Sequence, residues 1–213
     1  MEVEKTYKAA LYGGTFDPFH KGHLRVTEEV FGELCPDRMI VIPTGHPYMK
    51  EREGRQVTPA EHRIGMIRAA LEETQVPWEI SRAEVDLDTT SYTVNTLQVI
   101  RRQLAEELGE DRPVALYFVC GSDVLLTIHT WYRHEEILQQ VILTVVPRGD
   151  EDPERILEAK RDLEERYGAR VQICGFTGPA ISSTGIREDI AAQASALPEG
   201  VLAYIREHHL YGF

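Results

Sequence analysis

Two histidines, His20 and His23, stand three residues apart at the end of a run that begins with Gly13 and Gly14. Glycine allows a backbone to approach a ligand closely, and a helix N-terminus attracts anions through its unpaired N–H groups and its dipole. Imidazole adds hydrogen-bond donors that are charged or neutral near neutral pH. These residue types therefore predict a phosphate-binding turn at the start of a helix.

The same run leaves two other interpretations open. The histidines could cap a helix at the surface, or they could bind a metal together with His46 or His62. A His-x-x-His spacing with no acidic partner in register is a weak zinc pattern. The run also lacks the Gly-Lys-Ser/Thr ending of a P-loop and the Gly-x-Gly-x-x-Gly spacing of a dinucleotide fold. A phosphate would therefore be bound by backbone N–H groups and the histidines.

A second candidate segment contains three consecutive hydroxyl residues, Ser182, Ser183 and Thr184, followed by Arg187. Ser183 or Thr184 can cap a helix that the pattern predicts over residues 188–194. Arg187 would then fall in the first helical turn, where a cation opposes the helix dipole. This placement indicates that Arg187 binds an anion or a surface carboxylate, although an ordinary capped helix explains the segment equally well.

Two further segments contain groups suited to the sugar and the ring of a nucleotide. Gly121 permits close approach of a ligand after an apolar run, and Asp123 can accept from ribose hydroxyls or simply cap a turn. Trp131 can stack on a flat ring, although a tryptophan usually belongs to a core. Between Thr90 and Thr96, Ser, Tyr and Thr hydroxyls crowd a predicted helix start. Helix capping needs only one such hydroxyl, so it does not account for all three.

Apolar runs of strand length alternate with helical patterns, which is typical of a doubly wound α/β fold with a parallel sheet. The predicted strands are 9–12, 39–43, 114–120, 141–147 and 171–174. The predicted helices are 24–34, 59–73, 93–108, 132–139, 153–167 and a last helix from Pro198. The loop 44–58 carries Lys50 and follows the second strand, at the edge of the sheet where such folds bind ligands.

Length and composition exclude several classes of protein. The 213 residues fit one domain, 1–213, and the net charge of −12 disfavours binding of DNA or RNA by bulk electrostatics. No window is apolar enough for a membrane span, and the charged residues 1–5 lack a signal-peptide core, so we expect a cytoplasmic protein. Cys35, Cys120 and Cys174 are far apart and indicate buried thiols rather than a disulfide framework or a zinc knuckle.

Together these segments resemble the nucleotidyltransferases of the His-x-Gly-His type. Residues 13–23 and residues 181–187 are similar to the two signatures of that superfamily. Residues 91–97, with residues 121–123 and Trp131, narrow the resemblance to bacterial nicotinate-mononucleotide adenylyltransferases, over nearly the whole chain. Phosphopantetheine adenylyltransferases share the two signatures but are shorter and lack the Ser-Tyr-Thr segment.

The resemblance implies a Rossmann-like, doubly wound parallel sheet in a single domain. It also implies adenylyl transfer from ATP to nicotinate mononucleotide, with deamido-NAD and pyrophosphate as products and Mg²⁺ held mainly by the ATP phosphates. A homo-oligomer is allowed, and neither a nucleic acid nor a membrane is expected as a partner. The alternatives are a related enzyme that uses nicotinamide mononucleotide or phosphopantetheine, and a non-catalytic nucleotide sensor.

By position, the resemblance assigns roles to individual residues. His20 and His23 would be catalytic, as donors to the ATP phosphates. Tyr92, Thr93 and Trp131 would bind the mononucleotide, with Trp131 stacking on the pyridine ring. The residues implied for ATP binding are Gly13, Gly14, Thr15, Phe16, Lys50, Gly121, Asp123, Ser183, Thr184 and Arg187. No residue is implied as a metal ligand.

Two positions differ from the family pattern. The family loop after the second strand often reads Pro-Pro-His-Lys, whereas this chain has His46-Pro47-Tyr48-Met49-Lys50. Asn95 stands where Asp is common. Lys50 keeps the cation, but the resemblance supports neither a histidine contact before it nor a carboxylate contact at Asn95.

Overall fold

The computed structural model describes residues 5–45, 56–87, 91–149 and 151–213. Within these ranges, six parallel strands form one sheet at the centre of the protein. The strands are β1 (Tyr7–Gly14), β2 (Arg38–Pro43), β3 (Trp78–Ile80), β4 (Val114–Gly121), β5 (Ile142–Val146) and β6 (Arg170–Ile173). Their spatial order is β3-β2-β1-β4-β5-β6, so the order reverses between β1 and β4, as in other doubly wound folds.

Helices cover both faces of this sheet. The helices of the described ranges are α1 (Lys21–Leu34), α2 (Ala60–Leu71), α3 (Thr93–Leu108), α4 (Ser122–Thr127), α5 (His134–Gln140), α6 (Pro153–Tyr167), α7 (Ser183–Glu188) and α8 (Glu199–Glu207). Short 3₁₀ turns are formed by Ile128–Thr130, Ala194–Ala196 and Leu210–Gly212. Among the residues described, no helix is long and apolar enough to cross a membrane.

The side chains of β1 show how the sheet is buried. Ala9 and Leu11 pack in one core cluster with Leu97 of α3, whereas Ala10 packs with Val30 of α1 in another. Since neighbouring residues of one strand enter cores on opposite faces, the strand is apolar at successive positions. This burial on both sides explains the continuous apolar runs in the sequence.

The predicted doubly wound α/β fold is confirmed, and the helices predicted over 93–108 and 153–167 match α3 and α6 at both ends. The helix predicted over 188–194 is wrong, because α7 begins within the hydroxyl segment and ends at Glu188. Its cap is Ser182, whose Oγ accepts from the Gly185 N–H at 3.1 Å. Asp189 then accepts from the Ala192 N–H at 3.0 Å, and such a side-chain turn competes with helix continuation.

One short strand and one short helix were not predicted from the sequence. β3 is an edge strand of three residues, which is too short for an alternating pattern to show. α4 follows Gly121 without a connecting loop, and its first residues were interpreted as a turn.

The guanidinium of Arg63, on α2, connects three segments although its side chain is 1% exposed. Nη1 donates to the Thr15 carbonyl at 2.8 Å, and Nη2 donates to the Thr44 and Gly45 carbonyls at 2.7 and 3.3 Å. Nε donates to the Thr58 carbonyl at 2.9 Å. Burial lowers the pKa of Arg63, but arginine keeps its charge in proteins. One buried cation therefore holds the loops after β1 and β2 beside the start of α2.

The start of α1 is a cap formed by two histidines. His20 Nδ1 accepts the backbone N–H of His23 at 3.3 Å, and His23 Nδ1 accepts the backbone N–H of His20 at 3.2 Å. The two rings stack with their centroids 3.6 Å apart and 16° between their planes. A Cβ at Gly22 would lie 2.9 Å from the His20 ring, so only glycine permits this arrangement. Burial lowers the pKa of His20 to about 4.

We expect the buried, neutral His20 to make the protein less stable in acid. The unfolded chain takes up this proton near pH 6.5 and the folded protein only near pH 4, so the free energy of unfolding decreases as the pH falls through this window. The shift corresponds to about 3 kcal/mol. Asparagine also caps helices but does not titrate. His20→Asn should therefore keep the cap and remove this part of the pH dependence of the free energy of unfolding.

Urea unfolding of both proteins at pH 7 and pH 4.5 measures this difference. His129→Asn is the matched control, because it makes the same substitution at an exposed histidine. An equally steep decline in wild type and His20→Asn would contradict the neutral state of the buried ring.

Candidate active site

Two cavities adjoin at the carboxyl ends of β1 and β4, where the order of the strands reverses. The smaller cavity, of about 700 Å³, is lined by His20 and by residues 179–184. The larger cavity, of about 960 Å³, is lined by residues 13–16 and by Tyr92 and Trp131. The residues that line both are Tyr12, His23, Cys120, Gly121 and Arg148. Open α/β sheets bind their ligands at this position.

His20 and His23 offer hydrogen-bond donors at a defined ring atom. In each ring Nδ1 accepts a backbone N–H, so the ring proton lies on Nε2. The prediction of a helix cap holds, but His20 caps α1 from a buried position, with 4% of its side chain exposed. A neutral His20 at pH 7 can donate a hydrogen bond to a phosphate oxygen without gaining or losing a proton.

The metal-binding alternative finds no support in the described residues. His62 Nδ1 lies 3.2 Å from the Tyr204 hydroxyl, and its ring packs near His208. Across the described ranges, no group of three or more His, Cys, Asp or Glu side chains is arranged to hold a metal ion. His46 and Lys50 lie outside the described residues.

The turn after β1 contributes to the larger cavity. The residues of this turn that line it are Gly13, Gly14, Thr15 and Phe16. Phe16 has a φ of 52°, in the left-handed region that residues other than glycine rarely adopt. Its buried ring lies edge-on to Tyr12 and His23, at centroid distances of 5.4 and 5.0 Å. This packing supports the His23 ring at the wall that the cavities share.

The second signature packs against the first. Ser183 Oγ donates to the Pro18 carbonyl at 3.0 Å, and Arg187 Nη1 donates to the Asp17 carbonyl. Arg187 Nη2 also donates to Thr184 Oγ1 at 3.2 Å. The linings of the two cavities include Ser183 and Thr184 but not Arg187. Arg187 lies in the last turn of α7, so the expected conflict with the helix dipole is wrong.

An ion pair between Asp123 and Arg148 stands beside the shared wall. Arg148 Nη2 lies 3.2 Å from Asp123 Oδ1, and both side chains are more than half exposed. A Cβ at Gly121 would lie 2.4 Å from the same carboxylate oxygen, so a larger residue there would move the Asp123 side chain. Exposed pairs contribute little to stability, and both groups can therefore exchange their contact for a ligand. From the sequence, Arg148 was one of several cations in an acidic chain, most of which were expected to be solvated.

Aromatic side chains form one side of the larger cavity. Trp131 is half-buried and lies edge-on to Phe118, with centroids 6.2 Å apart. It thus packs on the core and also lines the cavity, so the two interpretations of this residue are compatible. Tyr92 and Tyr132 are exposed neighbours with ring centroids 4.7 Å apart. Tyr132 is a lining residue that the sequence analysis did not identify.

Glu84 is a half-buried carboxylate on the same lining, and it was also missed. It accepts hydrogen bonds from Ser91 Oγ and Thr96 Oγ1, each at 2.9 Å. Burial raises the pKa of Glu84, although the two hydroxyl donors oppose this effect. Two of the hydroxyls that crowd the start of α3 therefore bind Glu84, while Thr93 lines the cavity. The excess of hydroxyls was the only signal of this contact in the sequence.

The chain is similar to known proteins over nearly its full length. Residues 11–189 match the family model described as cytidylyltransferase-like. The chain is 33% identical to a probable nicotinate-nucleotide adenylyltransferase of Thermoanaerobacter sp. (strain X514), with 98% of this chain and 96% of the relative covered. It is 37% identical to a probable nicotinate-nucleotide adenylyltransferase of Hahella chejuensis (strain KCTC 2396), with coverages of 95% and 94%.

A solved structure shares the fold. The nicotinic acid mononucleotide adenylyltransferase of Plasmodium falciparum, complexed with NaAD, has a TM-score of 0.71 at 19% identity. The similarity covers 97% of this chain and 98% of that chain. The family match includes both signatures, and the relatives extend it over nearly the whole chain. The protein therefore belongs to the cytidylyltransferase-like family and, within it, to the nicotinate-nucleotide adenylyltransferases.

Proposed function

We propose that this protein transfers the adenylyl group of ATP to nicotinate mononucleotide and releases deamido-NAD and pyrophosphate, a step of NAD biosynthesis. The observation that carries the proposal is the pair of adjoining cavities with His23 and Arg148 on both linings. A reaction between two nucleotides needs such a shared wall, because the reacting phosphates must be held in line. The full-length relatives are named for this activity.

The lining of each cavity suits one of the two substrates. His20, Ser183 and Thr184 line the smaller cavity beside the N-terminus of α1, and a helix N-terminus with N–H and hydroxyl donors suits a triphosphate. Tyr92 and Trp131 line the larger cavity, where an aromatic ring can stack on them. We therefore place the triphosphate of ATP in the smaller cavity and the pyridine ring of the mononucleotide in the larger one. Residues 13–16 and Asp123, which the resemblance implied for ATP, line only the larger cavity, so in this placement they lie on the side of the mononucleotide.

The reaction requires alignment and charge stabilisation rather than a general base. The 5′-phosphate of the mononucleotide is ionised at neutral pH; its oxygen attacks the α-phosphorus of ATP. The bond from that phosphorus to the oxygen shared with the β-phosphate breaks, and pyrophosphate leaves with the electron pair. His20 and His23 donate through Nε2–H to the charge that develops on the phosphate oxygens. With its pKa lowered to about 4 by burial, His20 is a neutral donor at pH 7 before the substrates bind.

Arg148 adds a positive charge at the shared wall. Its partner Asp123 neutralises it before substrates bind, and a ribose hydroxyl that binds Asp123 would turn the guanidinium towards phosphate. Arg187 acts differently, since it binds the Asp17 carbonyl and holds the two signatures together. A role for Lys50 on the departing pyrophosphate stays a prediction.

Mg²⁺ fits this set of donors as a ligand of the substrate. The ion prefers oxygen ligands and keeps several waters, and the described residues offer no cluster of three or more candidate ligands. The phosphates of ATP and water would therefore hold it. When bound, Mg²⁺ neutralises part of the triphosphate charge.

Pyrophosphate release from ATP with a panel of acceptors tests this function. We expect nicotinate mononucleotide to react faster than nicotinamide mononucleotide or phosphopantetheine under identical conditions. Preference for phosphopantetheine would contradict the assignment of the larger cavity. Tight ATP binding without pyrophosphate release from any acceptor would indicate a nucleotide sensor instead.

Replacement of His23 should affect the chemical step. His23→Ala removes a donor to the charge that develops in the transition state, and we expect kcat to fall about 100-fold with much smaller changes in KM for either substrate. Steady-state kinetics with each substrate varied in turn measure this. His129→Ala is the control, since His129 is exposed outside both linings. A kcat close to that of wild type would reject the role of His23.

Replacement of Trp131 should affect the mononucleotide selectively. Trp131→Ala removes the stacking surface in the larger cavity, and we expect its KM for nicotinate mononucleotide to rise about 10-fold while its KM for ATP changes little. Trp131→Phe keeps a smaller ring and should recover much of the loss. Equal weakening of both substrates would show that Trp131 supports the site only through its contact with Phe118.

A further inference from the structure

The carboxylate of Asp17 is a buried centre of contacts within the first signature. The residue is 2% exposed. Its Oδ1 accepts from the Tyr211 hydroxyl at 2.5 Å, and its Oδ2 accepts from the Thr58 N–H at 3.3 Å. Arg187 Nη1 lies 4.0 Å from Oδ2 and donates to the Asp17 carbonyl. Segments that are far apart in the sequence thus converge on one side chain.

Tyr211 reaches Asp17 from an unusual backbone. His209, Tyr211 and Gly212 have φ values of 50°, 58° and 86°, and the first two are left-handed residues other than glycine, a conformation that tertiary contacts must stabilise. Burial, and then the charge of Asp17, raise the pKa of Tyr211. Its hydroxyl therefore stays protonated and remains a donor.

We propose that Tyr211 is a positioning residue for adenylyl transfer, which holds Asp17 and thereby fixes the turn that carries His20 and His23. The expected effect on kcat and KM rests on the proposed function. No motif in the sequence pointed to Tyr211, since neither signature includes it.

The contacts of the turn explain why one hydroxyl matters. The carbonyls of Asp17 and Pro18 accept from Arg187 and Ser183, so the position of Asp17 also sets the position of the second signature. Without the Tyr211 hydroxyl, a buried carboxylate loses a donor, and the turn can shift to recover one. Displacements of about 1 Å in a supporting contact reduce catalysis by one to two orders of magnitude.

The expected effect lies on the ATP side. Ser183, Thr184 and His20 line the smaller cavity, and Asp17 is linked to them through the turn and through Arg187. Tyr92, the residue before α3, and Trp131, in the segment after α4, line the larger cavity. Loss of the hydroxyl should therefore lower kcat and raise KM for ATP. Thr15 and Phe16, directly before Asp17, line the larger cavity, so we expect KM for the mononucleotide to change less than KM for ATP but not to stay constant.

Tyr211→Phe tests the proposal, with Tyr204→Phe as its matched control. Tyr204 is also near the end of the chain, and its hydroxyl lies 3.2 Å from His62 Nδ1 instead of Asp17. Both variants lose one part-buried hydroxyl near the end of the chain, so a general loss of stability affects both; the Tyr211 hydroxyl also lies 3.9 Å from Met66 Sδ, a weak contact beside the one to Asp17. We expect kcat to fall about 10-fold in Tyr211→Phe and less than about twofold in Tyr204→Phe. In an Asp17→Ala background, which removes the acceptor of the Tyr211 hydroxyl, Tyr211→Phe should have little further effect.

A second measurement does not depend on turnover. The NMR resonances of the His20 and His23 rings should shift in Tyr211→Phe and stay in place in Tyr204→Phe. Equal kinetics in the two variants, or unchanged histidine resonances in Tyr211→Phe, would overturn the proposal. Failure of the wild-type protein to release pyrophosphate would instead reject the proposed function, and the histidine resonances would then decide on Tyr211 alone.

Discussion

The buried guanidinium of Arg63 is the constraint on which the site depends. It donates to carbonyls of the loops after β1 and β2 and of the segment before α2. Removing a buried charge from its partners is strongly unfavourable, so these loops cannot separate without exposing or orphaning the cation. The two strands bring their carboxyl ends to one edge of the sheet, and Arg63 determines how the loops leave that edge. The larger cavity opens between them, with Thr15 and Thr44 on its lining.

Several polar side chains in and around the site stabilise other parts of the protein. Ser183 binds the Pro18 carbonyl, Arg187 binds the Asp17 carbonyl, and Glu84 binds hydroxyls at the start of α3. These contacts hold loops from distant parts of the chain at fixed positions, as a reaction limited by alignment requires. Ser183 and Thr184 line the smaller cavity, and both also hydrogen-bond within or between the two signatures.

The charge of the protein makes this local arrangement necessary. Two anionic substrates must bind to a chain with a net charge of −12, so long-range electrostatics oppose their approach. Short-range donors in the site offset this repulsion: the N-terminus of α1, the Nε2–H groups of His20 and His23, and Arg148. Asp123 balances the charge of Arg148 until a ligand binds. A neutral donor such as His20 avoids the desolvation that a buried imidazolium would suffer.

The sequence by itself determined the alternating α/β pattern, the two signatures and the aromatic residue beside them, because these depend on local spacing and burial on both faces of a sheet. It did not determine the partner of each polar group. The Ser183–Pro18 contact joins residues 165 apart, and the Tyr211–Asp17 contact joins residues 194 apart. Local patterns also predicted a helix beyond Glu188, where the Asp189 side chain forms a turn instead. Only the tertiary structure decided which cavity each residue lines, because hydrogen bonds across such separations depend on how the whole sheet and its loops are packed.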